Sequence, residues 1–341
     1  MTFYSCDSRM KKDAVDYLKK ETGVQTEVIR EYIESKWFDI NIRYNSYRGY
    51  NNITHYIHAL ANWLNQFESV NEKVIMLNFL SNELIFVSEQ EIRDTIKAII
   101  PDILLPIYTE KYDNKAIYYL SQTIFLGMSD GAHMDLFRYY NKILDNHQIC
   151  MEFELADSKC KNIIRKIQKN ALYSADDDLN LVLLDDFSGS GIGYLRNENI
   201  WKGKIIKTLE IVKKNFSCFK KVNVFFIPYL LTEKAYDYIS NHVNALYKEN
   251  IYFDIIPVRY IEKANLTHEE EMIIKKYYHR NEISDSNYLI GEHTAPYLGF
   301  DHTQLCLVLY HNTPNNSIPI IWYGKDALFP RKNRHKVFLR D

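Results

Sequence analysis

Apolar residues recur along this chain at two different periods, and the change of period divides it. Ile57, Leu60, Ala61, Leu64 and Phe67 fall three or four residues apart, as on one helix face, after the polar start Asn51-Asn52. Val74, Leu77, Leu80 and Leu84 repeat the stripe. Ser88 with Glu91 forms a capping-box pattern ahead of Ile92, Ile96, Ile99 and Ile100, and Pro101 is expected to end that helix. Residues 1–112 are therefore expected to form a helical region whose stripes serve packing. His55 and His58 share a helix, but no third ligand is evident, so they read as ordinary exposed or capping histidines.

From about residue 115 the helical stripes give way to short continuous apolar runs at 123–128, 180–184, 222–227 and 251–258, which read as buried strands. Helical stretches separate them: Leu136, Phe137 and Tyr140; Ile163, Ile164 and Ile167; then 201–212 and 233–247. Strands alternating with helices through short loops predict an α/β fold, a parallel sheet with flanking helices behind the N-terminal helical region. In such sheets ligands sit at the carboxyl ends of the strands. The α/β domain is expected to span 113–341. Within it 259–300 forms a variable insertion or hood, polar and irregular except for a helical patch over 269–278. A last apolar strand is expected at 304–310.

Composition narrows the classes. The 341 residues carry 42 Lys and Arg against 44 Asp and Glu, a net charge of −2, so no global basic field recruits nucleic acid. Five cysteines form no CxxC pair and are expected to be reduced. The first twenty residues lack the apolar core of a secretory leader, and no apolar run reaches the ~18 residues of a membrane span. The chain is expected in the cytoplasm. Lys159, Lys161, Arg165, Lys166 and Lys169 read as a solvated face or as contacts for a phosphate-rich partner. The basic tail of Arg331, Lys332, Arg334, His335, Lys336 and Arg340 has the same two readings. His293 and His302 lack metal-ligand spacing with any cysteine, which argues against a structural zinc.

Candidate chemistry is concentrated where the 180–184 strand ends. Asp185-Asp186-Phe187-Ser188-Gly189-Ser190-Gly191-Ile192-Gly193 places two carboxylates before three of the chain's eleven glycines. Glycine just past a strand makes a turn whose N–H groups can converge on an anion. Adjacent acids can hold sugar hydroxyls or a magnesium ion beside a phosphate. A capped strand-to-helix turn with no ligand is the alternative. Ser129-Asp130-Gly131 can cap the next helix. His311-Asn312-Thr313-Pro314-Asn315-Asn316 is either a rigid turn or a donor-rich pocket lining.

The Asp185–Gly193 segment resembles the phosphoribosyl-diphosphate (PRPP) loop of type I phosphoribosyltransferases. Together with 126–133 and 311–322 it resembles the conflict-associated phosphoribosyltransferase-like family (PRTase-CE), found in retrons and other antiphage systems. The resemblance implies a type I phosphoribosyltransferase-like sheet. Asp185 and Asp186 would meet the ribose hydroxyls and Mg²⁺, with Ser188, Gly189, Ser190, Gly191 and Gly193 on the 5′-phosphate. Ser129, Asp130 and Gly131 would lie on the diphosphate or leaving-group side, and His311, Asn312, Thr313, Asn315 and Asn316 would line the pocket. It also implies as partners PRPP or a related ribose-phosphate nucleotide, and a reverse transcriptase with its nucleic acid and a winged-helix protein. No membrane partner is implied. Gly193 stands where the family pattern has Ser or Thr, so a ribose 5-phosphate moiety is a firmer expectation than PRPP itself.

Two functions follow from these residues. One is an effector enzyme, a phosphoribosyltransferase-like transferase or glycosidic-bond hydrolase performing Mg²⁺-dependent chemistry at ribose C1′, in which Asp185 and Asp186 act on the transition state. The other is a non-catalytic ribose-phosphate sensor that signals to partner proteins.

Overall fold

A long β-strand through the two acids organises the α/β part of the chain. The computed structural model describes residues 2–48, 50, 52–170, 173–174, 177–246, 250–280 and 296–331. His293, the basic tail from Lys332 onward and 281–295 of the expected hood lie outside the described residues.

The chain opens with α1 (Thr2–Thr22), α2 (Thr26–Phe38), α3 (Ile53–Asn65), α4 (Val70–Glu83) and β1 (Ile85–Val87). Next come α5 (Glu89–Ala98), α6 (Leu105–Tyr112), α7 (Ala116–Ser121), β2 (Ile124–Gly127), α8 (Met134–Tyr140), β3 (Ile149–Cys150), α9 (Asp157–Gln168) and β4 (Leu179–Ser188). The sequence continues with β5 (Arg196–Asn197), β6 (Trp201–Lys202), α10 (Lys204–Asn215), β7 (Val222–Leu231), α11 (Glu233–Leu246), β8 (Ile251–Ile255) and β9 (Arg259–Tyr260). α12 (His268–Arg280) and β10 (Leu307–Leu309) complete it. Pro101 does not stop the helical path. The turn Ile99–Leu104 is π-helical and carries the chain past it into α6; a wider turn relieves the clash of the proline ring with the preceding turn.

Two compact units result: Met1–Glu89 with Lys263–Asp341, and Gln90–Glu262. The division differs from the one expected at 112/113 because residues 90–112 pack on the sheet. Tyr108 of α6 bonds the Thr123 hydroxyl at 2.9 Å and its ring lies 6.0 Å from that of Phe225 on β7.

In the 90–262 unit the strands run in the order β3-β2-β4-β7-β8, all parallel, with β9 adding a short parallel pairing to β7. Strand alternation sorts the side chains. Leu181, Leu183, Val222, Val224 and Phe226 meet Cys160, Ile163 and Ile167 of α9, Ile205, Leu209 and Val212 of α10, and Ala235 and Ile239 of α11. The opposite parity turns Phe125 to Phe137 of α8, ring centroids 4.9 Å apart. Helices thus cover both faces, and the strands are apolar throughout, as a doubly covered parallel sheet requires.

In the other unit Trp63 donates from its indole nitrogen to the Ile320 carbonyl at 2.7 Å, tying α3 to the C-terminal segment. Lys276 of α12 pairs with Glu68 at 2.9 Å and with Glu72 of α4 at 2.7 Å. The strand expected over 304–310 is shorter and lies here: β10 pairs in parallel with β1, Phe86 opposite Val308. None of the described helices is long and apolar enough to cross a membrane.

Leu183 is fully buried at the centre of β4. Leu183→Ala should cost about 2–5 kcal/mol, read as a lower urea midpoint; an unchanged midpoint would contradict the packing described.

Candidate functional site

β4 does not stop at the acids. It runs on to Ser188, with Asp185 opposite Pro228 and Ser188 opposite Leu231 on β7. Two adjacent residues of a strand point to opposite faces, so Asp185 and Asp186 enter different surroundings.

Asp185 is buried, 1 % exposed. Ser129, from the turn after β2, donates its hydroxyl to Oδ1, which also accepts the Asp186 N–H at 3.1 Å. Oδ2 accepts the Tyr194 hydroxyl at 2.5 Å and the Lys204 ammonium at 3.1 Å. Four donors therefore converge on the carboxylate, one from β4 itself and three from other segments. Burial, then the charge of Asp186, pushes its carboxyl up to about 6, against the opposing pull of Lys204, Ser129 and Tyr194.

Asp186 is half-buried, and its carboxylate lies flat on Gly131, where a methyl group would overlap it. The turn holding Gly131 is fixed twice. Gly131 N–H donates to the Ser129 hydroxyl at 3.1 Å, and the buried Tyr229 of β7 donates to the Ala132 carbonyl at 2.5 Å. Asp130 is exposed. Ser129 thus caps its turn and bonds Asp185 at once.

Past Ser188 the loop is pinned by its carbonyls. Thr232, which caps α11 through the Ala235 N–H at 3.0 Å, donates its N–H to the Ser188 carbonyl at 3.2 Å and its hydroxyl to the Gly189 carbonyl at 2.6 Å. The Gly191 carbonyl accepts from Tyr194 at 2.9 Å and Leu195 at 3.0 Å. Gly191 has φ +77°, and a Cβ there would lie 2.9 Å from a ring carbon of Tyr238, so only glycine fits. Among the described residues, the N–H groups of Gly189, Ser190, Gly191 and Gly193 have no acceptor within the protein. Carbonyls tied down with N–H groups left over is the backbone pattern from which anion-binding turns are built. Gly193 is exposed, with open space where a side chain would stand. In place of a direct loop-to-helix passage, β5 and β6 form a hairpin before α10.

The carboxylate pair does not fit a directly held Mg²⁺ as expected. Both oxygens of Asp185 are occupied by protein donors, one of them the cation Lys204. No group of three or more acidic, His or Cys residues among the described ones is arranged to hold a metal.

Ser129 and Gly131 thus join Asp185, Asp186 and the 188–193 loop at the carboxyl ends of β2 and β4. His311, Asn312, Thr313, Asn315 and Asn316 belong to the other unit. There Thr313 donates to the Phe329 carbonyl at 2.9 Å, Asn312 and Leu309 exchange backbone bonds at 3.0 Å, and the Asn315 carbonyl accepts from Phe300 at 2.8 Å. Asn316 donates its amide to the Phe300 carbonyl at 3.2 Å, and the His311 ring packs edge-on against Tyr310.

Sequence reasoning missed Tyr194, Lys204, Tyr229 and Thr232. Lys204 carries a usable signal: it opens α10, where the helix dipole disfavours a cation by about 0.3–1 kcal/mol. Its partner Asp185 supplies the reason, and its ammonium also lies 5.0 Å from the Tyr194 ring centroid.

Two outcomes test this geometry. Gly131→Ala should displace the Asp186 carboxylate and weaken ligand binding at least tenfold, with a urea midpoint near wild type; intact binding would contradict the contact. Asp185 binds its proton more tightly folded than in the unfolded chain, where a carboxyl sits near ~4. The stability it lends is full below about pH 4 and is lost as pH rises through its folded value. The stability of wild type relative to Asp185→Asn, from urea titrations, should fall between pH 4 and pH 7; a flat difference would contradict the burial of that charge.

No curated protein and no solved structure matches the chain. The model of the PRTase-CE family matches residues 60–332, four-fifths of the sequence and the whole of the site just described. The chain therefore belongs to the PRTase-CE family, whose name marks it as phosphoribosyltransferase-like.

Proposed function

We propose that the 185–193 site binds the ribose 5-phosphate part of a phosphoribosyl ligand, and that the protein is a phosphoribosyltransferase-like effector acting at ribose C1′ of PRPP or a related nucleotide. The observation that supports this reading is the loop in which three carbonyls are tied down while four N–H groups have no protein acceptor, next to a carboxylate braced on Gly131. The two acids divide the work. Asp185 is the support that holds three segments in register, and Asp186 is the group offered to the ribose hydroxyls. Bond breaking at C1′ builds positive charge on the ring. A clamped 5′-phosphate and a fixed carboxylate beneath the sugar favour that state by position and charge. No nucleophilic side chain is needed, and no step is routed through a metal held by the acid pair. Mg²⁺ belongs to this proposal only as a companion of a ligand's diphosphate. The antiphage role and the partners named by the family resemblance, a reverse transcriptase with its nucleic acid and a winged-helix protein, are part of the same proposal.

The saturation of Asp185 favours one second reading, a ribose-phosphate sensor without turnover. Incubation with PRPP, NAD and nucleotides followed by mass spectrometry separates the two. The enzyme reading expects a ligand consumed by wild type and spared by Asp186→Asn. Binding without any turnover would leave the sensor. The loop itself is tested at Gly193, where space is open: Gly193→Ser should add one hydrogen bond to the phosphate, worth about 1 kcal/mol or roughly fivefold in ribose 5-phosphate affinity. An unchanged or weaker affinity would argue against the loop as the phosphate site.

A further inference from the structure

The outward face of α9 has a composition the ribose site does not use. α9 buries Cys160, Ile163 and Ile167 against the sheet and exposes Lys161, Arg165 and Lys166, with Lys169 exposed just past its end. Beside it α10 exposes Lys207, Lys213 and Lys214. Two nearby acids are already paired, Asp157 with Lys214 at 2.7 Å and Glu154 with Lys207 at 2.5 Å, while Glu210 of α10 is exposed. Among the described residues, Lys161, Arg165, Lys166, Lys169 and Lys213 have no ion-pair partner.

Lys161, Arg165 and Lys169 stand four residues apart on one row, where like charges repel by a few tenths of a kcal/mol per pair. A face kept only for solubility interleaves its signs, and this chain has the acids to do so, 44 against 42 basic residues. The row is about 12 Å long at 1.5 Å per residue, the reach of roughly three or four nucleotide steps. Neither helix exposes a large apolar side chain. The face therefore lacks the aromatic or aliphatic anchors of a protein interface and the inserting residues of a membrane surface.

We propose that the outward face of α9, with Lys213 of α10 beside it, binds the phosphate backbone of a nucleic acid. Affinity comes from released counterions and carries little sequence preference.

The test uses the full chain and fluorescence anisotropy with labelled oligonucleotides of about 30 residues, as single-stranded DNA, RNA of the same sequence and duplex DNA, over a salt series. Wild type should bind at least one of them with affinity falling steeply with salt, and the three arms identify which. K161Q/R165Q/K169Q should lower that affinity at least tenfold and flatten the log–log salt slope by about 2 for a single strand. Its urea midpoint should be unchanged, since all three side chains are exposed, and K12Q/K19Q/K20Q on α1 should bind as wild type. Absence of binding to all three oligonucleotides at low salt would overturn the proposal. So would a triple variant that keeps wild-type affinity and slope, or binding confined to phosphatidylserine vesicles or polyglutamate.

Discussion

A single buried carboxylate holds the candidate site together. Asp185 takes donors from the turn after β2, from the end of the 188–194 loop and from the first residue of α10. Ser129 is 56 residues from Asp185 in sequence, Tyr194 is 9 and Lys204 is 19, and the fold brings all three to one point. A buried charge is costly unless its oxygens are filled, so the four donors are a condition of the strand running as it does. The cost is visible in the raised affinity of this carboxyl for its proton. Removing Lys204 or Tyr194 leaves the charge under-compensated, and the loop loses its anchor with it.

From that point the division of labour follows by geometry. Strand alternation sends Asp185 toward α10 and Asp186 toward Gly131, so neighbours in sequence enter different surroundings, the basis of the two roles proposed for them. Thr232 and Tyr229, both at the carboxyl end of β7 and both buried, hold the two turns from the other side. The Ser188, Gly189 and Gly191 carbonyls are taken by Thr232, Tyr194 and Leu195, and among the described residues the N–H groups of Gly189, Ser190, Gly191 and Gly193 have no protein acceptor. These bonds fix both turns without a ligand, as the proposed binding of a phosphate and a sugar requires.

Much of this was legible in the residues. The apolar runs at 123–128, 180–184 and 222–227 are strands of one parallel sheet, and the stripe from Ile57 to Phe67 falls on α3 and the turn after it. The glycine-rich turn after Asp186 is where the pattern placed it. What escaped depends on distance in sequence or on where a strand stops. Ending the strand at 184 made Asp185 and Asp186 look equivalent; extending it to Ser188 separates them. Tyr194 and Thr232 look like ordinary polar residues until the fold sets them beside Asp185 and Gly189. Pro101 looked like a stop because a proline cannot join an α-helical ladder, but a π-turn avoids the conflict locally. The strand near 307 was visible as apolar sequence, whereas its pairing with β1 rather than the main sheet is a contact across more than two hundred residues.

The proposed function requires the loop and Asp186 to form a single site that reads a phosphate and a ribose together. Isothermal titration of the full-length protein with ribose 5-phosphate, ribose and inorganic phosphate tests it most directly. Ribose 5-phosphate should bind at least tenfold more tightly than either fragment, and Asp186→Asn should remove that advantage while leaving the binding of phosphate alone. Ribose 5-phosphate binding no tighter than inorganic phosphate would contradict the account, because the turn would then be an anion site with no sugar beside it.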